Sequence, residues 1–142
     1  LTFERGAGGE NGFFVPLGSQ FPVSVNGMSV ELVSIDEYKK TQRINSLLLK
    51  FAVDYDKICG RLVIRNRMPG DKIRSVGRNV TKSFKKLFNE NNIPEDLREV
   101  LPVLADDNGV LWLYGFGADA RAAVDASTKR VLLMGKVPNL EV

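Results

Sequence analysis

The chain has 142 residues, a formal net charge of +3, 44% hydrophobic and 26% charged residues. These proportions suit one globular domain and exclude a disordered, collagen-like or large multidomain protein. With no histidine and one cysteine, Cys59, the chain can form no imidazole-based catalytic set, no internal disulfide and no Cys/His zinc cluster.

The lone thiol fits a reducing, cytoplasmic setting. Apolar runs such as Val131 to Met134 fall far short of the roughly 20 residues that span a bilayer, and no basic-then-apolar signal peptide is evident. The chain opens at Leu1 without an initiator methionine, and it is expected to be an excised piece of something longer.

Leu1 to Gly12 is glycine-rich and lacks apolar periodicity, which predicts a linker or loop; it has neither the preceding strand nor the Gly-Lys-Ser/Thr ending of a phosphate loop. Phe21, Val23 and Val25, then Asn26-Gly27, then Met28, Val30 and Leu32 predict a hairpin, because both turn residues tolerate the positive φ of a type I′ turn. Asp36 to Asn45 is polar and reads as a loop or a frayed continuation of the second strand. Leu47 to Val53 is expected to be extended with an irregular start. Leu62, Val63 and Ile64 predict a short strand ended by the Met68-Pro69-Gly70-Asp71 turn.

A helix is expected after Gly77, with Thr81 as its cap. Phe84, Leu87 and Phe88 form its apolar stripe, and Lys82, Lys85 and Lys86 fall mostly off it. Asn91-Asn92 supplies a stop, and Pro94 opens a second short helix with Glu95 and Asp96 in its first turn. Leu101 to Ala105 and Val110 to Tyr114 predict a second hairpin around Asp106 to Gly109. Gly115-Phe116-Gly117 bends the chain, and Ala122 to Val124 with Arg130 to Met134 are expected to form a third pair. About seven strands with two short helices between them predict an α+β, mainly β fold with sandwich-like packing.

No carboxylate pair stands in an acid/base setting: Asp54 and Asp56 lie on an extended segment, Asp106 and Asp107 in a turn without the further ligands of a calcium loop. Trp112 and Tyr114 share a strand face with Val110 and read as core. Charge is the informative signal. Between Arg61 and Lys86 nine basic residues face one acid, Asp71, a local charge of +8 that leaves −5 elsewhere. Such asymmetry is the footprint of a polyanion-binding surface. Alternation along a strand puts Arg61, Val63, Arg65 and Arg67 on one face, where successive positions lie about 6.6 to 7 Å apart, near the spacing of backbone phosphates. The competing reading pairs Arg65 or Arg67 with Asp71 or another acid to fix the turn.

One further pattern is present. Residues 65–73 (Arg-Asn-Arg-Met-Pro-Gly-Asp-Lys-Ile), Lys82 to Phe88, Asn92-Ile93-Pro94, Leu97-Arg98, Leu101 to Asp106, and Leu111-Trp112 through Gly117 occur in the order and spacing of the C-terminal domain of tRNA(Ile)-lysidine synthetase, which the sequence resembles from about Ala52 to Met134. The resemblance implies a tRNA-recognition domain at 51–136, preceded by a hairpin-containing segment at 1–50 and followed by a tail at 137–142. It implies that a catalytic domain elsewhere uses ATP to attach lysine to a cytidine of the anticodon loop, through a Ser-Gly-Gly-x-Asp-Ser loop that is absent here. The fragment itself is then expected to be without catalytic activity, cofactor or metal, and to grip the tRNA body, notably the acceptor stem. Its expected RNA contacts are Arg65, Arg67, Lys72, Arg74, Arg78, Lys82, Lys85 and Lys86. Phe84, Leu87, Phe88, Leu101, Leu104 and Trp112 are the expected core beneath them. The remaining expected partners are the parent catalytic domain and, through the apolar first hairpin, a second copy of the chain. The alternative role is that of an interdomain or protein-docking module.

Overall fold

A computed structural model describes residues 12–142; the glycine-rich opening segment lies outside the described residues. The predicted first hairpin forms. After β1 (Phe14–Leu17), strands β2 (Val23–Val25) and β3 (Met28–Ser34) pair Val25 with Met28 and Val23 with Val30. Asn26 and Gly27 sit at φ 52° and 81°, the left-handed pair that a type I′ turn demands.

The next segment differs from expectation. Residues expected as a loop form helix α1 (Ile35–Ile44). The Ser34 hydroxyl accepts the Glu37 amide at 3.1 Å, Asp36 and Glu37 occupy the first turn and Arg43 the last, so the N-terminus is capped and the charges at both ends complement the helix dipole. Only Tyr38 is buried from this helix, which explains why no apolar stripe announced it. A 3₁₀ helix (Ser46–Phe51) takes up most of the segment expected to be extended, and the strand β4 (Ala52–Asp54) begins only at Ala52.

A second 3₁₀ turn (Tyr55–Lys57) precedes β5 (Leu62–Arg65). The predicted Pro-Gly turn follows, with Gly70 at φ 86° and the Asp71 amide donating to the Met68 carbonyl at 3.1 Å. Short strands β6 (Lys72–Ile73) and β7 (Lys82–Ser83) form a ribbon that runs directly into α2 (Phe84–Glu90). Pairing of Lys82 and Ser83 in that ribbon delays the helix start, so its cap is Ser83, whose hydroxyl accepts the Lys86 amide at 3.1 Å, and not Thr81. Helix α3 (Glu95–Arg98) begins just after Pro94. The second hairpin comprises β8 (Val103–Asp106) and β9 (Gly109–Leu113), and β10 (Gly117–Ala118) returns along β9 after the glycine bend.

The third expected strand pair does not form. Asp119 caps a 3₁₀ turn over Ala120–Ala122, and the final strand, β11 (Arg130–Met134), pairs instead with β3 and β4. A three-residue partner at 122–124 offers little, whereas β3 gives β11 a five-residue register from Ser34 to Val30.

The strands make a five-stranded antiparallel sheet in the order β1-β5-β8-β9-β10 and a four-stranded one in the order β2-β3-β11-β4. Residues before and after position 50 thus share both sheets. This is the predicted α+β, mainly β architecture. One apolar core joins the sheets: Val25, Met28, Val30 and Leu132 come from one, Val15, Ile64, Leu104 and Leu113 from the other. The first hairpin therefore buries its own apolar residues inside the domain. Phe84, Phe88, Leu101, Leu104 and Trp112 are all buried as expected, with Leu87 half-buried. The Trp112 indole donates to the Lys50 carbonyl at 2.7 Å, giving its buried N–H a partner. Tyr114 clamps the C-terminal segment: its hydroxyl donates to the Leu140 carbonyl and accepts the Val137 amide, both at 3.0 Å.

Candidate nucleic-acid interface

The basic stretch from Arg61 to Lys86 runs through β5, the Pro-Gly turn, the β6–β7 ribbon and the start of α2, and these elements treat its charges differently. Arg65 is 8% exposed. Its guanidinium meets the Asp71 carboxylate in two bonds of 2.8 and 3.0 Å and donates to the Asn66 carbonyl at 3.1 Å. Asp71 also accepts the Met68 amide at 2.8 Å, so this pair closes the turn across its ends. Arg67 is half-buried, donates to Glu99 at 2.6 and 3.1 Å, and lies 5.6 Å from the centre of the Phe88 ring. The Arg98 guanidinium approaches the same ring at 5.7 Å and donates to the Ile93 carbonyl at 2.7 Å. The predicted row of three outward arginines is thus not present as a row: Arg61 alone is fully open, with a loose contact to Asp107 at 3.5 Å.

The second half of the stretch is the reverse. Lys72, Arg74, Arg78, Lys85 and Lys86 are exposed, and none makes an ion pair among the described residues. Lys82 is half-buried and donates to Glu90 at 2.7 Å. That hydrogen bond holds the Glu90 carboxyl below its ordinary range against a desolvation that opposes it, and the nearby charges of Lys86 and Arg78 add to the effect. The three cations therefore converge on one acid, around a cleft of about 860 Å³ between the 74–81 loop and α2. Lys85 lies on another side of α2, beside a cleft of about 400 Å³ that it shares with Arg67, Met68 and Glu99.

The loop that carries Arg74 and Arg78 is anchored by a residue that sequence reasoning passed over. Asp119 accepts the Arg74 amide at 2.9 Å and the Arg121 amide at 3.0 Å. The Ala120 amide donates to the Arg74 carbonyl at 2.7 Å, and Ser75 bridges to Asp119. The available signal was local: an aspartate two residues before an arginine amide is the pattern of an Asx turn. Arg121 in turn grips Asp106 at 2.7 and 3.1 Å. Burial pushes the Asp106 carboxyl up, but the Arg121 guanidinium and the amides of Cys59 and Asn108 outweigh it and hold the carboxyl below its ordinary value. Asp54 and Asp56 are also occupied, by Thr128 and by Arg130 respectively.

Fold and site together define a small two-sheet domain with a cationic loop-and-helix surface. Among the described residues no group of His, Cys, Asp and Glu could hold a metal ion, and no helix is long and apolar enough to cross a membrane. Residues 62–134 match the family described as the TilS substrate C-terminal domain, and the chain belongs to that family. It is similar to the tRNA(Ile)-lysidine synthase of Caldanaerobacter subterraneus subsp. tengcongensis, at 31% identity over 105 residues, covering 74% of this chain and 21% of that protein. The corresponding protein of Solibacter usitatus is 30% identical over 123 residues, covering 87% of this chain and 28% of that protein. A crystal structure of a TILS C-terminal domain superimposes with a TM-score of 0.64 at 25% identity, covering 90% of this chain and 98% of the other. The chain thus spans between a fifth and three tenths of the length of these two synthases.

Proposed function

We propose that this chain is the tRNA-gripping C-terminal domain of a tRNA(Ile)-lysidine synthase, a ligase of the cytoplasm, and that it holds the tRNA body at the acceptor stem. A catalytic domain elsewhere in the same protein then adds lysine to the anticodon-loop cytidine. ATP and lysine are assigned to that other domain, because the pyrophosphate-loop motif is not in these 142 residues. The observation that carries the reading is the set of five exposed cations, Lys72, Arg74, Arg78, Lys85 and Lys86, which lie on one ribbon and helix and make no ion pair among the described residues.

An A-form stem hides its major-groove base edges and offers phosphates, 2′-hydroxyls and shape. A cationic surface fixed on a rigid scaffold suits that target. Arg65 and Arg67 act from beneath: their carboxylate partners set the turn and the α2–α3 corner from which the free cations project. Lys82 serves mainly to orient Glu90 and the cleft beside it.

The test is a salt series of binding between the purified chain and unmodified tRNA(Ile), with a non-cognate tRNA as control. The expected result is a steep fall of affinity with salt, with a log–log slope of about 0.7 to 0.9 per phosphate contact, and a preference for the cognate tRNA. Binding that is insensitive to salt and independent of RNA would overturn the reading in favour of an interdomain or protein-docking role.

A further inference from the structure

The cleft between the 74–81 loop and α2 has a feature that phosphate contacts do not require. Val76 and Val80 from the loop are 65% and 56% exposed, and both line this cleft of about 860 Å³ together with Phe116. The Phe116 ring is half-buried and packs 6.0 Å from the ring of Phe88, so it is a fixed platform. Single exposed apolar side chains are ordinary on a protein surface, but two in one concavity beside an aromatic ring mark a binding site. Arg78, Lys82 and Lys86 also line the cleft, with Glu90 neutralising only one of the three.

A paired stem presents nothing apolar to such a cleft. An unpaired nucleotide presents both parts: a base whose flat face seeks apolar or aromatic contact, and flanking phosphates that seek cations. We propose that this cleft seats an unpaired nucleotide of the bound RNA, its base against Val76, Val80 and Phe116 and its phosphates on Arg78 and Lys86. The domain then reads the junction at which a stem gives way to a single strand. This assignment rests on the proposed RNA-binding role and names the part of the RNA that this cleft takes.

The experiment compares two RNA hairpins of the same stem, one blunt and one with a short single-stranded 3′ extension carrying a fluorescent adenine analogue. Each is titrated with the chain and with the V76S/V80S variant, whose two changes fall on exposed loop positions. The extension is expected to raise affinity for the unaltered chain by roughly three- to tenfold, and the variant is expected to lose that gain while binding the blunt hairpin equally. The analogue's fluorescence is expected to change on binding the unaltered chain only. An extension that adds nothing, a gain that survives in the variant, or displacement of the extension's effect by an acidic apolar peptide but not by single-stranded RNA would each overturn the cleft assignment and leave stem binding standing. Failure of both hairpins to bind at low salt would overturn the proposed function, and the cleft assignment with it.

Discussion

The two halves of the basic stretch both carry a net positive charge and put it to opposite use. From Arg65 to Asp71 the cations are drawn inward: Arg65 closes a turn on Asp71, and Arg67 ties it to Glu99 against the Phe88 ring. From Lys72 to Lys86 five cations stand in solvent and make no ion pair among the described residues. The difference lies in the acids each half can reach. Asp71 sits six residues from Arg65 across a tight turn and Glu99 arrives from the α3 end, whereas among the described residues the one ion pair made by the cations of the ribbon and α2 is that of Lys82 with Glu90. Positive charge in a sequence is thus a structural brace or a binding surface according to whether the fold delivers a carboxylate to it.

That contrast can be broken from either side. The largest effect is expected for Arg65→Ala, which leaves the largely enclosed Asp71 carboxylate without its guanidinium partner and should cost about 3 kcal/mol of stability, read as a lowered urea midpoint. A smaller loss, about 2 kcal/mol, is expected for Asp106→Asn, since Arg121 is partly exposed and water replaces some of what is lost. This pair also carries a pH signature. The native-state pKa of Asp106 lies below its ordinary value of 3.8, so its contribution is complete above that value and fades as pH falls through the lower native one. The stability gap between the unaltered chain and Asp106→Asn should therefore be constant near neutrality and narrow below about pH 4; a gap that widened in acid would contradict the assigned role.

On the open side, replacing Lys85 and Lys86 with glutamate should reduce tRNA affinity by roughly tenfold or more and flatten the salt slope by about 1.5 to 2. Stability should stay within about 0.5 kcal/mol of the unaltered chain. The smallest effect sharpens the boundary between the halves: Lys82→Ala should leave the thermal midpoint unchanged and alter RNA binding less than the Lys85 and Lys86 reversals do, because its charge is already met by Glu90. A loss as large as theirs would move Lys82 into the contact surface.

Much of the scaffold was legible where local chemistry decides it. The Asn26-Gly27 turn, the Pro69-Gly70 turn and the Phe84–Phe88 stripe each announce their structure within a few residues. Helix α1 was missed because its evidence is at its ends, in Ser34 and Glu37, and not in an apolar face. The fate of Arg130 to Met134 was unreadable for a different reason: its partners are β3 and β4, and nothing near 130 names them. The candidate site divided in the same way. The concentration of charge was visible, but the pairing of Arg67 with Glu99 and the tether of Arg74 to Asp119 span 32 and 45 positions, and alternation on a strand cannot reveal an acid that approaches from elsewhere.

The interior position of β11 has a consequence for how the molecule is made. During synthesis β3 and β4 emerge early, yet the strand that must lie between them is the last to appear, so the four-stranded sheet cannot zip from its beginning. Until Arg130 to Met134 have left the ribosome, the facing edges of β3 and β4 present unpaired amides and carbonyls alongside Val33 and Val53, a window in which a holding chaperone or a neighbouring nascent chain can compete for them. Closure then depends on contacts far apart in sequence, which places this half of the domain among slow-folding topologies.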